Sequence, residues 1–482
     1  MPKARIPQID PEDNRLAAFA TELAHLASLR CSKPDDFSSL LAAAKHVMAD
    51  AMWLVEQKEL EAMCTTDAVI EVAGEPYRRL SQASSRVYHG LWGAHEIHEP
   101  LYRRADVHNG PTLKPLDARL GVVDHALLPD LANAAGAMMA DNTSRHTERT
   151  LQRLGFRPPS RAVLEKRIGH MFDDMAVVAR ELEEQCRQTE HLDFEPVVIT
   201  CGLDRFATRM DEELAEGAQR DEKLERRRPP EQYQRTPPEP YIRVWRMAWA
   251  GSLTLYDANG HARKSFRYGT SANEGMTKLA ARMCDDVLAL LAATPTAIVS
   301  CIQDGALDLD PLRRELDERL PATTKRRDLV DFHHAIAYLD AIVSAKGDGD
   351  PHDPAGWYRL KLLRDDDGAA AIVEHLRREQ HEHREAGRAN VLAAITAALT
   401  YFEKRRPHMA YAEARAANGP VGSGATESTC GLFQLRVKHP GSHWGPHGLR
   451  GVMNALAFKL SDRWDAAFAA HHANLRQEVR AA

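Results

Sequence analysis

Two short, largely apolar runs constrain this chain more than any other feature. Pro196-Val197-Val198-Ile199-Thr200-Cys201-Gly202-Leu203 ends on Asp204, and Ala297-Ile298-Val299-Ser300-Cys301-Ile302 ends on Gln303-Asp304-Gly305. Runs of this length, rich in β-branched residues and closed by turn signals, read as strands buried on both faces. Strands also fit 242–256 and 262–268, joined by the hairpin signature Asp257-Ala258-Asn259-Gly260, and a helix fits about 273–293. The order β, β, β, α, β predicts a mixed α/β core with an acid closing each buried run. Residues 217–240, with Arg226-Arg227-Arg228-Pro229-Pro230 and Pro237-Pro238, read as a solvated loop.

The rest of the chain is mainly helical. Apolar residues recur at helical spacing over 11–70, through Leu16, Phe19, Leu23 and Leu26, then Leu40, Leu41, Met48 and Met52. Residues 75–121 turn rich in Pro, Gly and His and read as a small β-rich module. Its His89, His95, His98 and His108 lack the cysteines and regular pairing of a zinc site, so surface positions are expected and zinc is not. Residues 122–192 return to helix. Ser144–Leu154 is closed by Gly155, and a further helix starts after Pro158-Pro159-Ser160 and runs through Arg161 to Ile168. Helix, Gly turn and basic helix is the pattern of a helix-turn-helix DNA reader. Residues 328–417 and 428–470 are helical again.

The chain has 482 residues, 44% of them hydrophobic and 27% charged, which excludes a disordered or collagen-like polymer. Its seven cysteines form no CxxC, so neither a thioredoxin motif nor a disulfide framework is expected, and the usage fits a reducing cytoplasm. The longest stretch free of Asp, Glu, Lys and Arg, Val287 to Gln303, contains Pro295 and falls short of the ~20 apolar residues of a membrane span. No membrane partner is expected.

A third acid joins the two at the strand ends. Glu427 follows Gly419-Pro420-Val421-Gly422-Ser423-Gly424-Ala425-Thr426 and opens the apolar helix Gly431-Leu432-Phe433. The glycines suggest close backbone approach at the helix start. Three converging carboxylates repel one another while empty, and two Mg²⁺ or Mn²⁺ ions offset that cost. Such a pair of ions polarises a phosphodiester and activates water or a 3′-hydroxyl. Asp331 and His334 form a DxxH pair with two open readings. One is a contact near the metals or to flanking DNA; the other is a plain helix start capped by Asp331. Asp331 is also a rival for the third acid, ranked below Glu427 because it lacks the glycine-rich approach.

The segment Gly422-Ser423-Gly424-Ala425-Thr426-Glu427 resembles the GSGxxE signature of bacterial insertion-sequence DDE transposases, closest to the ISKra-type family. Val197-to-Asp204, Ile302-Gln303-Asp304-Gly305, Asp328-to-Ala335 and Ser461-Asp462-Arg463-Trp464-Asp465 resemble further motifs of that family in order, over roughly residues 75–470. The resemblance implies a ribonuclease-H-like catalytic core (193–327 and 418–482) interrupted by a large all-helical insertion (328–417). Before the core would come an N-terminal helical region (1–74), a degenerate zinc-ribbon-like module (75–121) and a helix-turn-helix-like DNA-binding region (122–192). It implies catalytic and metal-binding roles for Asp204, Asp304 and Glu427, with Asp331 and His334 beside them. Two departures stand out: the zinc-ribbon-like stretch has no cysteines, and Arg205 follows the first acid where the family often has glycine.

The net charge of −6 averages over locally basic stretches. Arg145, Arg149, Arg161, Lys166 and Arg167 gather in the helix-turn-helix-like region, and Arg436 and Lys438, with Trp444, follow Glu427. These are the expected DNA contacts. The expectation is a cytoplasmic, nucleoid-associated DDE transposase acting on double-stranded DNA as a homodimer or larger homo-oligomer. Two alternatives stand: a domesticated, catalytically silent DNA-binding protein, and a metal-dependent nuclease without strand transfer.

Overall fold

The computed structural model describes residues 14–29, 33–213, 241–305, 310–347, 354–439 and 442–481. The loop expected at 217–240 lies outside them. Two units emerge, one from residues 1–177 with 465–482 and the other from 178–464.

The first unit begins with helices α1 (Asn14–Ser28) and α2 (Pro34–Met63). An antiparallel sheet follows, made of β1 (Val69–Val72), β2 (Glu75–Gly90), β3 (Gly93–Arg104) and β4 (Thr112–Leu113). Then come α3 (Pro115–Leu120), α4 (Pro129–Asp141), α5 (Ser144–Leu154) and α6 (Arg161–Val177). The helical region expected to reach residue 70 stops at Met63, because Val69–Val72 pairs with β2. The strand-rich stretch 75–121 is not a separate module. Its sheet has the order β10-β1-β2-β3-β4, and β10 (Val479–Ala481) comes from the far end of the chain, after α17 (Trp464–Leu475). Residues 465–482, expected with the catalytic core, therefore belong to the first unit, where Ile70 pairs with Ala481.

Helix α5 matches the sequence reading at both ends. The Thr143 hydroxyl caps it by accepting the His146 N–H at 3.2 Å, and Gly155 closes it at φ +98°, a conformation that penalises any side chain. Of the four histidines, His98 and His108 are exposed as expected, but His95 is fully buried. Its ring stacks on Trp53 and lies between Glu56 (2.9 Å) and Gln57 (3.0 Å), so it is a satisfied core histidine.

The second unit opens with α7 (Ala179–Thr189), so 178–192 parts from the helix-turn-helix-like region with which it was grouped. Its sheet contains β5 (Val198–Glu213), β6 (Tyr241–Tyr256) and β7 (Ala262–Thr270), then, after α8 (Met276–Ala293), β8 (Ile298–Gln303), and after α9 (Asp310–Arg319), β9 (Arg326–Val330). The order is β7-β6-β5-β8-β9; β6 is antiparallel to both its neighbours, while β5, β8 and β9 run parallel. One face is apolar (Ile199, Cys201, Leu203, Leu253, Phe266) and packs on Leu279, Met283 and Val287 of α8 and on Leu312 and Leu316 of α9.

Five helices follow β9: α10 (Phe332–Lys346), α11 (Pro354–Arg364), α12 (Gly368–Glu385), α13 (Ala389–Arg405) and α14 (Tyr411–Ala416). The helical stretch expected from 328 starts at Phe332, because Arg326–Val330 is the fifth strand of the sheet. These helices carry their own core, from Ile336 and Leu339 through Tyr358, Ile372 and Leu376 to Ile395 and Phe402, continuous with Leu329 and Val330. Helices α15 (Gly424–Val437) and α16 (Pro446–Leu460) close the other face of the sheet.

A buried ion network joins α7, α8 and β7. Arg463, 3% exposed, grips Glu190 through two nitrogens (3.0 and 2.6 Å) and Asp286 through a third (2.5 Å), and its guanidinium lies over the Phe266 ring. Arg187 (2.5 Å) and Tyr268 also donate to Asp286. Each buried charge is paired, the condition under which such groups are tolerated. Among the described residues, no helix is long and apolar enough to cross a membrane.

Candidate functional site

Strand register brings three acids to one level. The β5–β8 ladder ends at Cys201↔Cys301, and Asp204 and Asp304 each lie three residues further on. The β8–β9 ladder ends at Gln303↔Val330, and Asp304 and Asp331 are the next residues on each strand. Neighbouring strands lie about 4.8 Å apart, so Asp204, Asp304 and Asp331 follow one another across the carboxyl ends of the parallel ladders. Asp204 does not end its strand as expected. β5 continues to Glu213, paired throughout with β6, and only the pairing with β8 stops before the acid.

Glu427 reaches this edge on α15. Gly202 permits the approach: a methyl group there would strike the Thr426 hydroxyl and lie 2.6 Å from the Ile302 carbonyl. Thr426 also hydrogen-bonds Ser252 at 2.8 Å, fixing the helix to the sheet. Cys430, one turn after Glu427, hydrogen-bonds the Asp204 carboxylate; burial, then that carboxylate, pushes its thiol pKa far up. The thiol thus stays protonated and donates to Asp204 instead of competing as a soft ligand. Asp204 Oδ1 also accepts the Arg205 N–H at 2.7 Å.

Asp331 is fully buried and serves two helices. Its Oδ1 accepts the His334 N–H at 2.8 Å, capping α10, and its Oδ2 accepts the Ser423 N–H at the start of α15. The Ser423 hydroxyl in turn donates to Glu427 Oε1 at 2.9 Å. The close approach expected of the glycine-rich segment holds at Gly422, where a side chain would meet His333 at 3.1 Å and Asp331 at 3.4 Å. At Gly424 a side chain would meet nothing within 4 Å.

Ligand atoms of Asp331, His334 and Glu427 lie within 4.8 Å of one another, with His334 and Glu427 exposed. This is the group of metal-ligand type that the described residues bring together, and Asp204 and Asp304 are not members of it. The helix-start reading of the DxxH pair is the one the geometry shows: Asp331 caps α10, and it also stands beside Glu427. The donors are two carboxylates, of the kind that suits Mg²⁺ or Mn²⁺, and one imidazole, a donor more usual for a transition metal.

Other neighbours carried no local signal. Tyr401 donates to the Asp304 carbonyl at 3.5 Å, and Arg405, one turn on, grips the Gly305 carbonyl at 2.8 Å while lying over the Tyr401 ring. Burial raises the Tyr401 phenol pKa despite Arg405, with Asp304 and Asp331 adding to the rise. Tyr338 stacks on Tyr401 with centroids 4.2 Å apart, and a groove of 730 Å³ opens beside the pair. The helical spacing of Tyr401 and Arg405 was visible in the sequence; their proximity to Asp304 was not. Cys430 was detectable, being three positions after Glu427 on one helix.

The expected DNA contacts divide. Arg145, Arg149, Arg161 and Lys166 are exposed, while Arg167 is tied to the Asp124 carboxylate at 2.8 Å. Arg436 covers the Trp444 ring, Lys438 lies over Phe206, and Trp444 donates to the Val437 carbonyl while its own carbonyl accepts the Asp211 N–H. Trp444 is thereby part of the packing that carries the extended β5–β6 hairpin. Compared with known proteins, the chain matches no family model and no curated protein.

Proposed function

We propose that the second unit is a ribonuclease-H-like catalytic domain and that the protein is a DDE-type DNA transposase. One observation carries this reading. In the β7-β6-β5-β8-β9 sheet, Asp204 on β5 and Asp304 and Asp331, one residue past the ends of β8 and β9, follow one another across three parallel strands, and a helix packed on that sheet brings Glu427 to the same edge. Five helices between β9 and α15 supply the insertion that such a reading needs.

Asp204, Asp304 and Glu427, with Asp331 and His334 alongside, would hold two divalent ions, which supply charge stabilisation at phosphorus and an activated water or 3′-hydroxyl. The chain's own residues define the place. Asp204 and Asp304 are half-exposed and Glu427 exposed, so the edge is open to a polymer backbone and is not a closed small-molecule cavity. Asp331 orders both helix starts. Arg145, Arg149, Arg161 and Lys166 offer phosphate contacts on the first unit. Terminal-repeat ends would be cut, and the freed 3′-hydroxyls joined to target DNA.

Asp304→Asn removes one anionic donor and leaves the fold. It is expected to abolish Mg²⁺-dependent cleavage of element-end DNA while sparing DNA binding in a mobility-shift assay. Cleavage at the unaltered rate would overturn the assignment. Cleaved products that are never joined would favour the nuclease.

A further inference from the structure

Strand β8 leaves its ladder with β9 just where the second acid stands. The carbonyl of Gln303, its last residue, accepts the Asp331 N–H at 2.7 Å. The next two carbonyls, of Asp304 and Gly305, both meet helix α13. Tyr401 donates to the first at 3.5 Å. Arg405, one turn on, grips the second through two nitrogens, Nη2 at 2.8 Å and Nε at 3.2 Å. A guanidinium offers such a fork, and an ammonium does not.

The grip is braced from both sides. The Arg405 guanidinium lies 4.4 Å from the centre of the Tyr401 ring, and that ring stacks on Tyr338. Ile395, Leu399 and Phe402 anchor α13 in the helical core. On the side of the turn, Gly305 sits at φ +84°, and a methyl group there would lie 2.6 Å from Arg405 Nε. Glycine takes this conformation without strain and leaves room for the guanidinium. The turn after β8 is thus shaped to admit a side chain that lies 100 positions along the chain.

We infer that Arg405 is a positioning residue for Asp304: by holding the Gly305 carbonyl, it fixes the backbone from which the Asp304 carboxylate reaches a divalent ion. The inference rests on the metal-dependent reading of this edge, and it gives the helical insertion a part in building the site. Removing a group that orients a metal ligand typically lowers metal affinity about ten- to hundredfold. Charge alone predicts the opposite. A cation beside the site repels the metal, so losing Arg405 would tighten binding. The direction of the change separates the two.

Mn²⁺ binding to the full chain tests this, read from the electron paramagnetic resonance signal of the free ion, without DNA or turnover. Arg405→Ala is expected to weaken binding about tenfold or more. Arg405→Lys keeps the charge and can offer one nitrogen, so its affinity is expected between those of Arg405→Ala and the unaltered protein. It carries the test if circular dichroism shows that the alanine variant does not fold. Asp304→Asn gives the reference for a lost ligand. Folded Arg405 variants that bind Mn²⁺ as tightly as the unaltered protein, or more tightly, while Asp304→Asn binds weakly, would overturn the positioning role and leave the metal-dependent reading standing. Asp304→Asn binding as tightly as the unaltered protein would overturn that reading, and the inference with it.

Discussion

At the scale of the residue, Asp331 shows how one buried carboxylate organises an edge. It accepts two N–H groups, from His334 and from Ser423, at the starts of two helices. Replacing it by alanine removes a helix cap, worth about 1 kcal/mol, and orphans a buried N–H, worth about 1–3 kcal/mol. Asp331→Ala is therefore expected to lose about 2–4 kcal/mol in urea unfolding. Asp331→Asn, which retains one carbonyl acceptor, should lose about half as much. Equal losses for the two variants would mean that packing, not hydrogen bonding, sets the cost. The capping half of this role was legible in the sequence, because an Asp three residues before a helical N–H is a local pattern. The bond to Ser423 was not, since 92 positions separate the partners.

At the scale of the element, the approach of α15 to the sheet depends more on Gly202 than on the glycines of its own helix start. Gly202→Ala would press on the Thr426 hydroxyl and the Ile302 backbone, an overpacking expected to cost about 1–3 kcal/mol. Gly424→Ala meets open space in the first turn of a helix and is expected to be neutral or stabilising by up to about 1 kcal/mol. Thermal melts of the two variants separate these outcomes; a loss at Gly424 matching that at Gly202 would contradict the packing described. The sequence marked the 422–424 glycines as special by their clustering and passed over Gly202, a single glycine in an apolar run. Helix α5 was read to its last residue because Gly155, the signal that closes it, is local. Strand β5 was read nine residues short. Its second half, with Phe206, Thr208 and Met210 buried in alternation, looks polar when read along the chain and becomes a strand only through β6.

At the scale of the whole molecule, the two units draw on the chain unequally. Residues 178–464 are continuous, whereas the first unit needs both 1–177 and 465–482. No local pattern in the sequence indicated this. Val479-Arg480-Ala481 is too short to register as a strand, and only its pairing with Ile70, Glu71 and Val72 makes it one. Ending the chain after Leu475 would strip this partner from β1 and expose an unpaired edge, a template for association. The truncated protein is expected to aggregate on heating and to lose protection of the β1 amides in hydrogen exchange, with the amides of β5 and β8 unaffected. Unaltered exchange at Ile70 and Val72 would show that β1 holds without its outer neighbour.

The same pairing sets a timetable for biosynthesis. Strand β1 leaves the ribosome some 400 residues ahead of β10. At about 5–20 residues per second, it must wait on the order of 20–80 seconds for its partner. By the end of that interval the later-made unit has been synthesised through Trp464 while the earlier one still shows an open margin. The nascent chain finishes its middle before its beginning, and the first strand to emerge is among the last to be satisfied.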